Sequence, residues 1–184
     1  MDPALIIDDA PADNAKAQGK LQNAFTLWVF MTSIANDGWK PRKMASFSTT
    51  AEFWNVYSYL KRPSDLEQGT QLNFFVKGVE PAWEDPANKE GGRWQLRFPT
   101  KINPDLSNKL WEDLVLGFIG EQFTYPDEVT GIVISIRKNM NTVSIWNRSG
   151  QDPEVKAQLR KDLVRIMGLG DETKMEYQRF NEEE

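Results

Sequence analysis

Two tryptophans stand in polar, turn-rich loops, where an indole is unusual. Trp39 directly follows the turn-forming residues 36–38, and Trp83 lies between the Pro81-Ala82 pair and Glu84. Loops of this composition bury little surface, so each indole is expected to be exposed unless it covers the core or contacts a ligand. Because Glu84 directly follows Trp83, the second loop offers a flat aromatic face and a carboxylate side by side.

Arginines and a third informative tryptophan fall on the polar faces of predicted strands. Apolar side chains alternate with polar ones over residues 93–98 and 142–146, which predicts two strands with one wet or ligand-facing side. Arg93 and Trp146 lie on these polar faces, and Arg137 follows a third alternating run. Guanidinium groups and an indole are therefore expected to point the same way.

Together these side chains suit one kind of ligand, a flat cationic ring with hydrogen-bond donors along one edge and phosphates behind it. Stacking a base on an aromatic side chain contributes about 1 to 3 kcal/mol. A carboxylate that accepts two donors adds roughly 1.5 to 3 kcal/mol per bond. A site of micromolar or tighter affinity, about −8 kcal/mol, remains feasible after the entropy of binding is subtracted.

The composition excludes several kinds of chemistry. The chain has 184 residues, of which 40% are apolar and 27% are charged, as in ordinary globular domains. It has neither Cys nor His, which removes disulfides, thiolate nucleophiles, imidazole catalysis and the usual ligands of structural zinc. We expect no metal ion and no cofactor. The net charge of −5 argues against nucleic-acid binding over the whole surface, but it is compatible with a small basic patch.

The elements that position these residues follow from hydrophobic periodicity. Period-two alternation predicts strands at about 21–31, 72–76, 93–98, 132–136, 142–146 and 174–180, the runs at 132–136 and 142–146 forming a hairpin through residues 139–141. Helical spacing predicts three helices, each with one apolar face. The first begins at Ser48-Thr49-Thr50 and ends before Pro63, the second covers 103–120, and the third begins at Pro153.

Strands interleaved with one-faced helices predict an α+β fold with helices on a single side of one antiparallel sheet. Residues 1–20 contain no aromatic side chain and are expected to form a disordered tail, with a folded domain at 21–180 and an acidic tail at 181–184. No apolar run reaches the roughly 18 to 20 residues of a membrane span, and the N-terminus lacks a signal-peptide pattern. We expect a cytoplasmic monomer without membrane contact.

A long motif extends from Glu80 to Trp94. It contains Pro81-Ala82-Trp83-Glu84-Asp85 and Gly91-Gly92-Arg93-Trp94, and shorter matching pieces occur at Leu21-Gln22-Asn23, Glu52-Phe53-Trp54, Ile119-Gly120-Glu121, Arg137 and Ile145-Trp146. With these motifs, residues 21–168 resemble the translation initiation factor 4E family, the cytoplasmic proteins that bind the 7-methylguanosine cap of messenger RNA. The 80–94 motif is the most specific part of the resemblance.

The resemblance implies a single curved antiparallel sheet, backed on its convex side by three long helices, with the ligand slot on the concave side. Trp39 and Trp83 would sandwich the methylated guanine, and Glu84 would accept hydrogen bonds from the guanine edge. Trp146 would contact the N7 methyl group. The phosphates would meet Arg137, assisted by Arg93 and the adjacent Lys138.

The resemblance also implies that the convex side docks a helical segment of a factor 4G-type scaffold or of a 4E-binding repressor. Trp54 would anchor this segment, because it falls one position off the apolar face of the first helix and can sit at its rim. The other residues implied for this site are Leu21, Gln22, Thr50, Leu110, Asp113 and Gly120. Thr50 and Glu112 occupy positions that are usually apolar in the family.

Two further functions stay open. Glu80, Glu84 and Asp85 could hold Mg²⁺ for nucleotide hydrolysis, although the Arg-Glu-x-x-Glu-Glu helix expected of a Nudix-type pyrophosphohydrolase is absent. The chain could instead be an interaction module or repressor that keeps the fold with weak cap affinity, against which Trp39, Trp83 and Glu84 argue. We expect a binding protein and not an enzyme.

Overall fold

The described part of the chain forms one antiparallel sheet of seven strands, in the order β2-β1-β3-β5-β6-β4-β7. The computed structural model describes residues 19–32 and 40–181. Trp39, the turn at 36–38, residues 1–18 of the expected N-terminal tail and residues 182–184 of the expected acidic tail lie outside the described residues. The strands are β1 (Lys20–Met31), β2 (Arg42–Thr49), β3 (Thr70–Val76), β4 (Gly92–Pro99), β5 (Val129–Ser135), β6 (Met140–Asn147) and β7 (Glu176–Arg179).

Within the described residues, three α-helices follow strands along the chain, and each begins at a side-chain cap. They are α1 (Thr50–Tyr57), α2 (Pro104–Ile119) and α3 (Pro153–Met167). The Thr49 hydroxyl accepts from the Glu52 amide while the Glu52 carboxylate accepts from the Thr49 amide, a reciprocal capping box. Asn103 and Asp152 cap α2 and α3, each followed by Pro at the first helical position. Helix α3 ends at Gly168, whose φ of 62° suits glycine.

All three helices pack on one face of the sheet, which we call the helix face. Alternate residues of the central strands, such as Leu27, Phe74 and Ile132, are fully buried there against the helices. The opposite face, here called the open face, carries no helix among the described residues. It has a smaller apolar cluster, formed by Phe75, Val79, Val133 and Trp146, with Trp28 and Phe180 among the side chains packed against it.

The predicted α+β architecture is confirmed, with corrections in detail. Strand β2 was not predicted, because its residues mix exposed polar side chains with one buried ring, Phe47, as an edge strand allows. Helix α1 is not long: it ends at Tyr57, and Leu60 is buried from outside the helix. Leu106 lies four residues before Leu110, a spacing that predicts it on the apolar face of α2, but it is 43% exposed because it lies in the first turn.

Candidate functional site

In the loop between β3 and β4, the side chains of Asp85 and Asn88 form hydrogen bonds with the loop backbone. One Asp85 carboxylate oxygen accepts from the Glu80 amide at 2.9 Å and the other accepts from the Ala87 amide at 2.8 Å. The fully buried Asn88 donates to the carbonyls of Glu80 and Ala82 at 3.1 and 2.9 Å. These bonds satisfy backbone groups that no strand or helix would pair, so the loop has a defined shape without a ligand.

This loop presents Trp83 and Glu84 to solvent. The Trp83 side chain is 50% exposed, and Glu84 is exposed beside it. Within the described residues, the Glu84 carboxylate has no recorded hydrogen bond or ion pair. A large exposed indole next to an unengaged acceptor, on a loop of fixed shape, is the arrangement of a binding surface and not of a core.

The same loop offers little to the metal-hydrolase alternative. Both Asp85 oxygens accept backbone amides, which makes Asp85 a loop-building residue. Among residues 19–32 and 40–181, no group of three or more acidic side chains is arranged to hold a metal ion. The structure therefore gives the combination of Glu80, Glu84 and Asp85 no support as a metal site.

Arg93 and Trp146 are directly opposite each other in the β4–β6 ladder, so both side chains lie on the open face. The Trp146 ring is only 8% exposed. It packs edge to face against Phe75, with ring centroids 5.4 Å apart, and Phe180 lies against it at 4.4 Å. Trp146 therefore faces the expected way, but its ring is packed against Phe75 and Phe180 and little of it is exposed.

Phe180 was not predicted as a site residue, and its position depends on the C-terminal strand. Its amide donates to the Gly91 carbonyl at 3.1 Å, which ties the end of β7 to the end of the Trp83 loop. Gly91 also packs closely against the end of β6, since a Cβ there would lie 1.9 Å from the Asn147 carbonyl oxygen. The sequence shows only an aromatic residue directly after the last strand. Its contact with Trp146 can be inferred only once the pairing of β7 with β4 is known.

Arg93 has the properties of an anion receptor. Its Nη2 donates to the Gln178 Oε1 at 2.8 Å, while its Nε is buried and has no hydrogen-bond partner among the described residues. Burial, and secondly the charge of Arg97, lower the pKa of the Arg93 guanidinium. Arginine nevertheless keeps its charge at any physiological pH, so an anion placed here would relieve both the missing hydrogen bond and the repulsion.

Arg137 and Lys138 lie farther along the sheet, in the link between β5 and β6. The Arg137 amide donates to the Asn141 side chain. Asn141 lies five residues before Trp146 on β6, and five residues of extended strand span about 16 Å. Arg97 lies between the two positions, opposite Thr142, and forms an exposed ion pair with Glu176 at 3.3 Å. The open face thus carries basic groups along its length, and Trp146 and Arg93 are the pair that it brings together.

On the helix face, Trp54 stands at the rim, as the sequence predicts. It is 44% exposed, whereas its neighbours Phe53 and Tyr57 are 2% exposed. The Trp54 ring packs edge to face on both, at 5.0 and 5.9 Å between centroids. The indole is held in place by the core while much of its surface stays available.

The other residues implied for the helix-face site differ in how much surface they offer. Gln22, Thr50 and Gly120 are exposed, Leu21 is half-buried and Leu110 is 5% exposed, so Leu110 contributes mainly to the core. Two acidic side chains of α2 are paired, since Asp113 bonds Lys109 and Glu112 lies 3.5 Å from Arg62. Arg62 also lies over the Tyr57 ring, and burial, followed by the Glu112 charge, raises the pKa of Tyr57. The Glu112 charge is thus partly neutralised.

This fold carries a half-exposed Trp-Glu loop and basic groups on its open face. The family model of eukaryotic initiation factor 4E matches residues 20–184. The chain therefore belongs to the eukaryotic initiation factor 4E family. It is 43% identical to the translation initiation factor NCBP of Triticum aestivum over 136 residues, which cover 74% of this chain and 57% of that protein.

Further relatives extend the likeness over more of the chain. It is 35% identical to translation initiation factor 4E1 of Drosophila melanogaster over 173 residues, covering 93% of this chain and 66% of that protein. The chain thus spans less than two thirds of both relatives' lengths. Its fold matches the solved complex of Caenorhabditis elegans eIF4E-3 with the 4E-binding protein Mextli and a cap analog. That match has a TM-score of 0.81 and 28% identity, covering 89% of this chain and 93% of that one.

In the two described ranges, no helix combines the length and the apolar character needed to cross a bilayer.

Proposed function

We propose that this chain binds the 7-methylguanosine cap of messenger RNA on its open face and a helical scaffold or repressor segment on its helix face, in translation initiation or its regulation. Trp83 stacks on the methylated base together with Trp39, and Glu84 accepts hydrogen bonds from the guanine edge. Trp146 borders the N7 methyl group. The family membership and the cap analog bound by the C. elegans relative support this proposal.

The observation that carries the proposal is the presentation of Trp83 and Glu84 by a loop that Asp85 and Asn88 hold in shape. N7 methylation gives the base a positive charge, which strengthens its attraction to the face of an indole by about 2 kcal/mol when desolvated. A carboxylate is acceptor-only, so it matches the two donors of the guanine edge. A loop of fixed shape lowers the entropy lost on binding.

The phosphates of the cap are proposed to contact the basic groups of the open face. Arg93 has a buried Nε without a hydrogen-bond partner, and Arg137 with Lys138 continues the positive charge along the sheet. A triphosphate extends several ångströms, which suits contact with more than one of these groups. Cap recognition by this route requires binding alone, so we propose that the chain is not an enzyme.

The helix face is proposed to dock an amphipathic helix around Trp54. The combination of a 44% exposed indole and a rigid core beneath it is typical of an anchor in a helix-in-groove interface. The partner would be a factor 4G-type scaffold or a 4E-binding repressor, and Mextli in complex with the C. elegans relative supports a partner of this kind.

We further propose 21–180 as the cap-binding domain of a cytoplasmic monomer, flanked by tails at 1–20 and 181–184.

Glu84→Gln tests the proposal at the guanine edge, because it replaces an acceptor with an amide that presents donors to donors. We expect a loss of roughly 2 to 4 kcal/mol in the affinity for 7-methyl-GTP, measured by calorimetric titration, with unchanged thermal unfolding. Glu80→Gln, an exposed carboxylate on the same loop, is the matched control and should bind like the unchanged protein. Near-normal binding by Glu84→Gln would remove Glu84 from the site.

One observation favours a second candidate, an interaction module of the same fold with weak cap affinity. Trp146 is packed against Phe75 and Phe180 and is only 8% exposed, so an approaching base meets less of this indole than an open slot would offer. The same titration separates the two candidates. Tight binding of 7-methyl-GTP supports the cap-binding function, and weak binding with retained binding of a partner helix supports the interaction module.

A further inference from the structure

A cavity of about 550 Å³ lies on the helix face, where strands β4 and β7 meet the first turns of α3. Two aromatic residues, Trp94 and Tyr177, line it together with three cationic residues, Lys156, Arg160 and Arg179. Its volume falls in the range of roughly 300 to 1,000 Å³ that is typical of sites for small ligands. The cavity is separate from the open face, because it lies on the other side of the sheet.

The lining of this cavity is positively charged in a chain whose net charge is −5. None of the described residues that line it is acidic. Among the described residues, neither Lys156 nor Arg160 forms an ion pair with a carboxylate. Lys156 Nζ lies 5.3 Å from the centroid of the Tyr177 ring, and Arg160 donates to the carbonyls of Asp171 and Thr173 at 2.7 and 3.2 Å. A ring face and neutral carbonyls leave these charges in place, so the cavity attracts anions.

The aromatic part of the lining is fixed before any ligand arrives. The Trp94 Nε1 donates to the Lys156 carbonyl at 3.0 Å, and the Tyr177 hydroxyl donates to the buried Asn147 side chain at 2.8 Å. The two rings pack edge to face, with centroids 5.2 Å apart. Fixed rings lose little conformational entropy on binding, which favours a ligand with a flat apolar part.

A ligand that uses the whole lining combines an aromatic ring with a negative group. A peptide with carboxylate side chains would use the cationic groups but not the rings, whereas an uncharged aromatic compound would use the rings and leave the positive charge of Lys156 and Arg160 without a counter-charge. A nucleoside phosphate supplies a base for the rings and a phosphate for the Lys and Arg groups. Cationic side chains combined with aromatic ones are the usual means of binding such ligands.

The position of the cavity also fits a nucleic-acid chain. Arg93 and Trp94 are neighbours on β4, and Tyr177 and Gln178 are neighbours on β7, so their side chains alternate between the open face and the helix face. Strand β7 is the edge of the sheet. A chain that leaves Arg93 can therefore pass around this edge and reach the cavity without crossing the core.

We propose that this cavity binds a nucleoside phosphate, supplied either as a free nucleotide or as part of an RNA chain. The site goes beyond the proposed cap recognition and does not require it. Adenosine triphosphate and an uncapped oligoadenylate are suitable probes, because adenine lacks the donor pattern that Glu84 would read in guanine. Tighter binding of the oligoadenylate identifies RNA as the source, and tighter binding of the triphosphate identifies a free nucleotide.

The experiment is a calorimetric titration of the full chain and three variants with both probes. Ala157→Phe fills the cavity without changing the charge, since Ala157 lines it from α3. Lys156→Glu combined with Arg160→Glu reverses the charge, and Lys161→Glu is the matched control on an exposed part of the same helix. We expect each of the first two variants to weaken binding at least about tenfold, and the control less than about twofold.

A parallel titration with 7-methyl-GTP separates this proposal from cap recognition, because Ala157→Phe should leave that affinity unchanged. The proposal is overturned if the unchanged protein binds neither adenosine probe, or if Ala157→Phe binds them normally. Binding of O-phosphotyrosine as tight as that of the nucleotides would also overturn it, by showing a phosphopeptide site. Thermal unfolding of each variant verifies that the fold is retained. If the double variant with reversed charge does not fold, Ala157→Phe alone still tests the proposal.

Discussion

The Phe180 ring lies against the Trp146 indole, with ring centroids 4.4 Å apart and planes inclined by 47°. The contact joins the end of the C-terminal strand to the open face, beside the loop that presents Trp83. It is accompanied by the hydrogen bond from the Phe180 amide to the Gly91 carbonyl. The C-terminal strand therefore stabilises one side of the proposed slot.

Phe180→Ala should accordingly destabilise the protein and expose Trp146. Because Phe180 is only partly buried, we expect the free energy of unfolding to fall by about 1 to 2 kcal/mol, including the aromatic pair itself. Urea denaturation measures this change, and quenching of tryptophan fluorescence by iodide should increase. Asn181→Ala, at the exposed neighbouring position, is the control. Equal stability of the two variants would show that the Phe180 contact does not hold β7 in place.

Much of the fold follows from local patterns in the sequence. Alternation over residues 132–136 and 142–146 predicts the β5–β6 hairpin, and Asn103 with Gly120 marks the ends of α2. Strand β2 could not be predicted from such patterns, because an edge strand needs few apolar residues and β2 has one buried ring, Phe47. The premature end of α1 at Tyr57 escapes it too, since Leu60 keeps the helical spacing while its backbone leaves the helix.

The site could be predicted where its residues are contiguous. Trp83 and Glu84 are adjacent in one motif, and their loop exposes both. The Phe180–Trp146 contact could not be predicted, because it arises from pairing between strands that are distant along the chain. The aromatic and cationic cavity beside α3 likewise needs Trp94, Lys156 and Tyr177 to be brought together by the sheet edge.

Arg137 is predicted to contact the phosphates and not the base. Arg137→Ala should weaken 7-methyl-GTP binding by about five- to tenfold and 7-methylguanosine binding by less than about twofold, because a charge-assisted bond to phosphate is lost. Calorimetric titrations at several salt concentrations measure this, and the salt slope should be shallow compared with general RNA binders. Lys161→Ala serves as the control cation on the helix face. A uniform loss for both ligands would mean that Arg137 supports the fold.

Trp54 is predicted to act on the partner and not on the cap. Trp54→Ala should weaken the binding of a helical 4E-binding peptide by more than about 2 kcal/mol. The cap affinity should change by less than about twofold, because the two sites lie on opposite faces of the sheet. Leu106→Ala is the matched control, since Leu106 is a similarly exposed apolar residue on the helix face. Pull-downs on cap resin and on immobilised peptide measure the two losses separately. If Trp54→Ala retains the peptide, the partner groove lies elsewhere.

The most direct test of the proposed function is a calorimetric titration of the unchanged protein with 7-methyl-GTP and with GTP. The two ligands differ by one methyl group and by the positive charge that it creates on the base. Stacking on Trp83 should favour the cationic base by at least about tenfold in Kd, or about 1.4 kcal/mol. Equal affinity for the two nucleotides would contradict recognition of the methylated cap by this chain.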